Sequence, residues 1–138
     1  MIELTDQMRA LLAHALDDKL PVVACSVDED GQPSIAFYGS TQVHSTDQLA
    51  IWVRNPEAGL LSRLPGNPHM AFMYRNPGQQ IGWQFQGRAK VLDAGDESQQ
   101  VYDNSPQLEK DRDADMAGLA VVIDVDRVIA RGAVLMER

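Results

Sequence analysis

Basic side chains gather in the middle of this acidic chain. Residues 48–92 carry five arginines or lysines and a single acid, whereas the whole chain has a formal net charge of −8. Arginine suits bidentate contacts with phosphate and carboxylate groups. The charge distribution therefore predicts one of two arrangements. Either this segment holds an anionic ligand, or its arginines pair with the acidic remainder in a dimer contact or on the surface.

The best candidate for an anion site is a helix start within this segment. Asn55 has the residue type of a helix cap and Pro56 that of a first helical residue, which predicts a short helix from this point. Arg54 adjoins the predicted start, and Arg63 lies near the predicted end. Free N–H groups and the helix dipole favour a phosphate there, although Glu57 in the first turn opposes it.

The motifs of the common enzyme classes are absent. The chain contains no Walker A, GxGxxG, HExxH or GxSxG motif, and its three histidines lack ligand spacing. We therefore predict no metal site, and no side chain is identified as a general acid or base. Cys25 is the single cysteine, so no intramolecular disulfide is possible. If the chain is an enzyme, a bound cofactor is expected to supply the chemistry.

Hydrophobic periodicity and turn signals predict the elements that position these residues. A leading helix is expected over residues 4–19, capped by Thr5, and short helices over 96–103 and 106–112. Strands are expected at 22–27, 33–43, 49–53, 70–74, 81–92 and 120–125, the last extending towards 133–135. The charged run 109–115 is interpreted as solvated surface. These elements predict one domain, residues 1–138, that is mainly β (α+β): an antiparallel barrel with peripheral helices.

Composition excludes several classes of partner. A pI near 4.7 argues against nucleic acid or an anionic membrane surface, since both demand a basic footprint. No apolar run approaches the roughly 18 residues that span a bilayer. The N-terminal residues do not follow the pattern of a signal peptide. We therefore expect a cytoplasmic protein that binds neither nucleic acid nor membrane.

Several short motifs occur in an order that resembles one known family. They are Gly31-Gln32-Pro33, Ile51-Trp52-Val53-Arg54, Leu64-Pro65-Gly66-Asn67-Pro68 and Gly87-Arg88-Ala89-Lys90-Val91. Their order and spacing resemble the pyridoxamine 5′-phosphate oxidase-like family of FMN-binding split barrels, over nearly the whole chain. The resemblance implies a six-stranded antiparallel split β-barrel, a homodimer, and FMN in grooves at the dimer interface.

The resemblance, combined with the anion-site argument, also identifies candidate cofactor contacts. These are Ser40, Val53, Arg54, Asn55, Arg63 and Gln84. Ser40 and Val53 would line the isoalloxazine ring, and Gln84 occupies about the place of a flavin-contacting glutamine. The family grips the flavin phosphate with a Ser-Arg-Lys-like element, which falls here at Ala58, Gly59 and Leu60. Arg54 and Arg63 would then have to serve instead.

The predicted function is a flavin-binding protein, an FMN-dependent oxidoreductase acting on a small molecule that the sequence does not identify. One alternative keeps the fold and changes the cofactor to a deazaflavin or a haem, with His44 or His69 as the axial candidate. The other is a non-catalytic dimeric barrel that binds another anion or no cofactor. In that case Arg54 and Arg63 would form ion pairs at the dimer interface.

Overall fold

A computed structural model describes residues 1–138. Eight strands form one antiparallel sheet in the order β2-β1-β5-β6-β7-β4-β3, and β8 pairs with β7. The helices are α1 (Asp6–His14), α2 (Gly59–Arg63), α3 (Asp96–Asp103) and α4 (Gln107–Asp111). The strands are β1 (Val23–Val27), β2 (Pro33–Phe37), β3 (Gln42–Ser45), β4 (Gln48–Val53), β5 (His69–Asn76), β6 (Ile81–Val91), β7 (Leu119–Ala130) and β8 (Ala133–Glu137). The predicted fold class, a mainly antiparallel α+β split barrel, is confirmed.

The core lies on the inner face of the sheet. It contains 22 buried hydrophobic residues, among them Phe72, Tyr74 and Phe85, and α1 covers it with Met8 and Leu12. A second, five-residue cluster, which includes Trp52 and Val101, lies where α3 packs on β4 and β7. None of the helices is long and apolar enough to span a bilayer.

The prediction of six strands is wrong in number, because two of the predicted strands each divide into two. The stretch 33–43 breaks after Phe37, where the backbone N–H and the hydroxyl of Thr41 both donate to the Tyr38 carbonyl. The C-terminal stretch reverses at Arg131 and Gly132, whose φ angles of 52° and 76° suit a two-residue hairpin turn. Both breaks are local turns inside stretches whose composition favours strands.

The predicted helix boundaries are correct for some helices and wrong for others. Thr5 caps α1 as expected, accepting a hydrogen bond from the Met8 N–H at 3.1 Å, but α1 ends at His14 and the chain continues in turns to Lys19. α3 spans the predicted residues. The predicted helix start at Asn55 is wrong. The Asn55 side chain accepts a hydrogen bond from the Glu57 N–H in a turn, and α2 begins only at Gly59.

One face of the sheet carries hydrophobic side chains outside the core. Val23 of β1 pairs with Phe37 and Met73, and Cys25 pairs with Ile35 and Ala71. Directly paired residues project to the same side of a sheet. We call these six residues the outer apolar face. Ile35 and Phe37 are the most exposed of them, at 75% and 71%.

Candidate functional site

Four of the six predicted cofactor residues meet at a cavity between β2 and the end of β4. This cavity, here called the Ser40 cavity, has a volume of about 190 Å³. Its lining residues are Phe37, Tyr38, Gly39, Ser40, Trp52, Val53, Arg54, Asn55 and Glu109. Of the six candidate contacts, the structure therefore brings together Ser40, Val53, Arg54 and Asn55. Arg63 and Gln84 lie elsewhere.

Ser40 is held rigidly beside β4. Its Oγ donates to the Trp52 carbonyl at 3.1 Å and accepts from the Trp52 N–H at 2.8 Å, so the side chain bonds both backbone groups of one residue. The Gln42 amide in turn donates to the Ser40 carbonyl at 3.1 Å. Ser40 is buried. These bonds extend the pairing of β3 with β4 beyond Gln42 and fix the cavity wall.

Arg54 and Glu109 form an ion pair in the cavity wall. Arg54 Nε lies 2.9 Å from Glu109 Oε2, and the side chains are 41% and 7% exposed. Glu109 reaches the cavity because Gly39 has no side chain. A Cβ on Gly39 would stand 2.6 Å from Glu109 Oε1. The arginine predicted to bind an anion is thus already paired with an anion of the chain itself.

Asp113 fixes the wall on the other side through Trp52. Its carboxylate accepts from Trp52 Nε1 at 2.8 Å and from the N–H groups of Ala117 and Gly118 at 2.9 Å each. Burial raises the pKa of this carboxyl, but the three hydrogen bonds and the nearby charge of Arg54 outweigh that effect, so its pKa lies below the ordinary value. Asp113 therefore remains ionised and ties the loop after α4 to β4.

The interpretation of residues 109–115 as solvated surface is wrong for Glu109 and Asp113, which are both buried. Their burial depends on partners distant in sequence, namely Arg54 and Trp52, which no local pattern could reveal. One signal was available for Asp113. A glycine five residues on permits close approach of two chain segments, and a Cβ on Gly118 would stand 2.2 Å from the Val53 carbonyl oxygen.

Arg63 lies in a separate, polar cavity of about 380 Å³ at the β1–β2 turn. Its Nε donates to Ser26 Oγ at 2.8 Å. The other lining residues are Asp28, Glu29, Asp30, Ser34 and Ser62. Three acidic residues therefore share this cavity with one arginine. The helix that was predicted to join Arg54 and Arg63 does not start at Asn55, so the two arginines do not form one anion site.

Gln84 lies on β6 next to the outer apolar face. It pairs with Met73 across the sheet, and its side-chain oxygen accepts from Gln86 at 3.0 Å. Phe37 connects this face with the Ser40 cavity, since it belongs to both. The cavity and the face are therefore continuous at Phe37.

A larger cavity of about 600 Å³ opens at the other end of the same sheet. Its charged lining combines Arg127 and Arg138 with Asp126 and Glu137, beside His69. It shares Cys25 and Ala71 with the outer apolar face. The His69 Nδ1 lies 3.1 Å from Asn67 Oδ1. The structure contains no cluster of three or more His, Cys, Asp or Glu side chains with the geometry of a metal site.

Comparison with known proteins settles the family. Residues 4–130 match the family described as pyridoxamine 5′-phosphate oxidase. The chain belongs to this family. No curated protein sequence matches it significantly.

Solved structures share the family's fold at low sequence identity. HupZ from Group A Streptococcus is 17% identical, with a TM-score of 0.70 over 94% of this chain and 95% of that chain. HutZ from Vibrio cholerae, described as a heme storage protein, is 12% identical, with a TM-score of 0.66 over 92% and 94%. An FMN-binding protein from Syntrophomonas wolfei is 13% identical, with a TM-score of 0.64 over 91% and 88%. These likenesses establish the shared fold.

Proposed function

We propose that this chain binds a flavin between two copies of itself, with the flavin ring in the Ser40 cavity, and that it acts as a flavin-dependent oxidoreductase on a small molecule. The observation that carries the proposal is the position of Phe37. It lines the cavity that contains Ser40 and Val53, and it also lies on the outer apolar face. A second copy that covered the face would therefore also close the cavity.

The size of the cavity supports this arrangement. Its volume of about 190 Å³ is below the roughly 300–1,000 Å³ typical of small-molecule sites. One chain thus provides part of a cofactor site, and another wall is needed to complete it. The FMN-binding protein from Syntrophomonas wolfei has the same fold, which is consistent with such a site.

The outer apolar face supports a homodimer. Ile35 and Phe37 of β2 and Met73 of β5, which flank β1, are 75%, 71% and 41% exposed in the isolated chain. Apolar patches of this kind mark protein interfaces. A second copy of the chain fits the patch best, because the same surface would complete the Ser40 cavity of each copy.

The residues of the chain would bind and enclose the ring rather than transfer protons. Val53 and Phe37 provide apolar surface for the ring, and the fixed backbone around Ser40 forms the edge of the cavity. A bound flavin supplies hydride chemistry in its own ring. The side chains named here would then orient the ring and exclude water from it.

Flavin addition is expected to stabilise the protein. At a flavin concentration of 100 times the dissociation constant, binding stabilises the folded state by roughly 2.7 kcal/mol, or about 10 °C in melting temperature for a domain of this size. Thermal melting with increasing riboflavin or FMN measures this shift, and the flavin's visible spectrum should change with it. A melting temperature and a spectrum that stay constant with every flavin would contradict the proposal and favour a barrel without this cofactor.

Haem is a second candidate ligand, favoured by the cavity at His69. That cavity, of about 600 Å³, has the usual size of a cofactor site. The contact between His69 Nδ1 and Asn67 leaves Nε2 free for an axial bond. Arg127 and Arg138 also line this cavity, where Arg127 pairs with Glu137 and Arg138 pairs with Asp47 and Asp126. HutZ, described as a heme storage protein, has the same fold.

His69→Ala is expected to abolish haem binding, measured as loss of the Soret shift on titration with haem. His44→Ala provides the matched control, because His44 Nε2 is already bonded to Glu97 at 2.8 Å. Its titration should match that of the unmodified protein. Equal titrations of the two variants would rule out His69 as the axial ligand.

A further inference from the structure

Arg54 is the one cation that lines the Ser40 cavity, and an acid of the chain already pairs with it. Its partner Glu109 lines the same cavity, and the Glu109 side chain is only 7% exposed. A ligand phosphate that took Arg54 would leave this buried carboxylate without its partner and place a second anion beside it. Both effects are unfavourable in a site shielded from water.

The surroundings offer no replacement for Arg54. Arg63 is bonded to Ser26 and shares its cavity with Asp28, Glu29 and Asp30, so the local charge there is negative. Every fully buried side-chain nitrogen and oxygen already has a hydrogen-bond partner. The helix α2 has five residues, and its cap residue Ala58 and first two residues, Gly59 and Leu60, bear no basic or hydroxyl group.

Building on the proposed flavin site, we propose that the Ser40 cavity holds a flavin by its ring and discriminates against a phosphorylated tail. The ligand class is then an uncharged flavin such as riboflavin, in preference to FMN. Glu109 is the residue that sets this preference, because its buried carboxylate already pairs with Arg54 Nε and would repel a phosphate placed beside that arginine. Gly39 leaves room for this arrangement, since a larger residue there would require Glu109 to shift.

Three flavins with the same ring test the proposal on the unmodified protein. FMN carries a phosphate, riboflavin an uncharged ribityl tail, and lumiflavin a methyl group. Titration followed by flavin fluorescence should show riboflavin and lumiflavin binding, and FMN binding at least about tenfold more weakly than riboflavin. FMN binding more tightly than riboflavin would overturn the discrimination while leaving the proposed function intact. If none of the three bound, the proposed flavin function itself would fall, so the two failures are distinguishable.

The variant Glu109→Gln tests the assigned residue. Glutamine keeps the size of the side chain and frees the charge of Arg54, so FMN affinity should rise at least about tenfold while lumiflavin affinity changes by less than about twofold. Glu57→Gln is the control, because it removes the same charge from an exposed acid close to Arg54 in sequence. Its FMN affinity should stay within about threefold of the original.

The ratio of FMN to lumiflavin affinity within one variant is independent of how much protein is folded. Equal ratios in the two variants would overturn the role of Glu109.

Discussion

Replacing Asp113 by alanine is expected to lower the free energy of unfolding by roughly 3–5 kcal/mol, a large part of the 5–15 kcal/mol typical of a domain. The Asp113 carboxylate accepts three hydrogen bonds from Trp52 Nε1 and the N–H groups of Ala117 and Gly118. All three donors would be left without this acceptor. Urea unfolding of the variant and the unmodified protein measures the difference.

Two controls separate the hydrogen bonds of Asp113 from its charge. Asp115→Ala removes an exposed carboxylate two residues away and should change the free energy of unfolding by less than about 0.5 kcal/mol.

The pH dependence gives the second control. Because the pKa of Asp113 is lowered in the folded chain, its contribution is fully present above the ordinary carboxyl pKa of about 3.9. This stabilisation is lost as the pH falls through the lowered pKa of Asp113. If the difference in free energy of unfolding between Asp113→Ala and the unmodified protein stayed constant through this pH range, the role assigned to the Asp113 carboxylate would be contradicted.

Phe37→Asp is expected to separate the dimer and to abolish flavin binding together. Burial of a phenylalanine side chain contributes roughly 1.5–3 kcal/mol, and a homodimer would lose it twice. The dissociation constant of the dimer should therefore rise at least about 100-fold. The stability of the single chain should hardly change, since Phe37 is 71% exposed within it. Light scattering coupled to size exclusion gives the mass, and riboflavin titration gives the affinity.

Leu108→Asp is the matched control for Phe37→Asp. Leu108 is also exposed, at 44%, but it lies on α4 and outside the outer apolar face. This variant should remain dimeric and bind flavin as before. A Phe37→Asp variant that remained dimeric would remove the outer apolar face from the proposed interface. Loss of the dimer with full flavin affinity would show that one chain suffices to bind the ring.

The sequence predicted the fold well because its strongest signals are local. The hairpin at Asp28–Gly31 follows from turn residues, and Gly31 has a φ of 85°, as such a turn requires. The alternation along β6, which places Trp83 and Phe85 on the buried face, follows from the period of a strand. One error in strand number arose at Tyr38–Thr41, where the single glycine, Gly39, is a weak turn signal within a stretch that otherwise favours a strand. There the hydroxyl of Thr41 stabilises the break.

The candidate site was harder to predict because it depends on contacts between distant segments. Asn55 and Pro56 have the composition of a helix start, yet the Asn55 side chain instead closes a turn onto Glu57. The ion pair of Arg54 joins residues 55 positions apart in sequence, and a periodic pattern carries no information about it. Sequence reasoning therefore located four of the cavity's residues but missed Glu109, the acid that pairs with Arg54.

Sedimentation velocity with added riboflavin, followed at the visible absorbance of the flavin, tests the central proposal most directly. The account predicts that coloured material sediments as one species of twice the chain mass of 15.2 kDa, with one flavin per chain. Flavin that sediments with a 15.2 kDa monomer, or that does not sediment with the protein at all, would contradict binding between two copies.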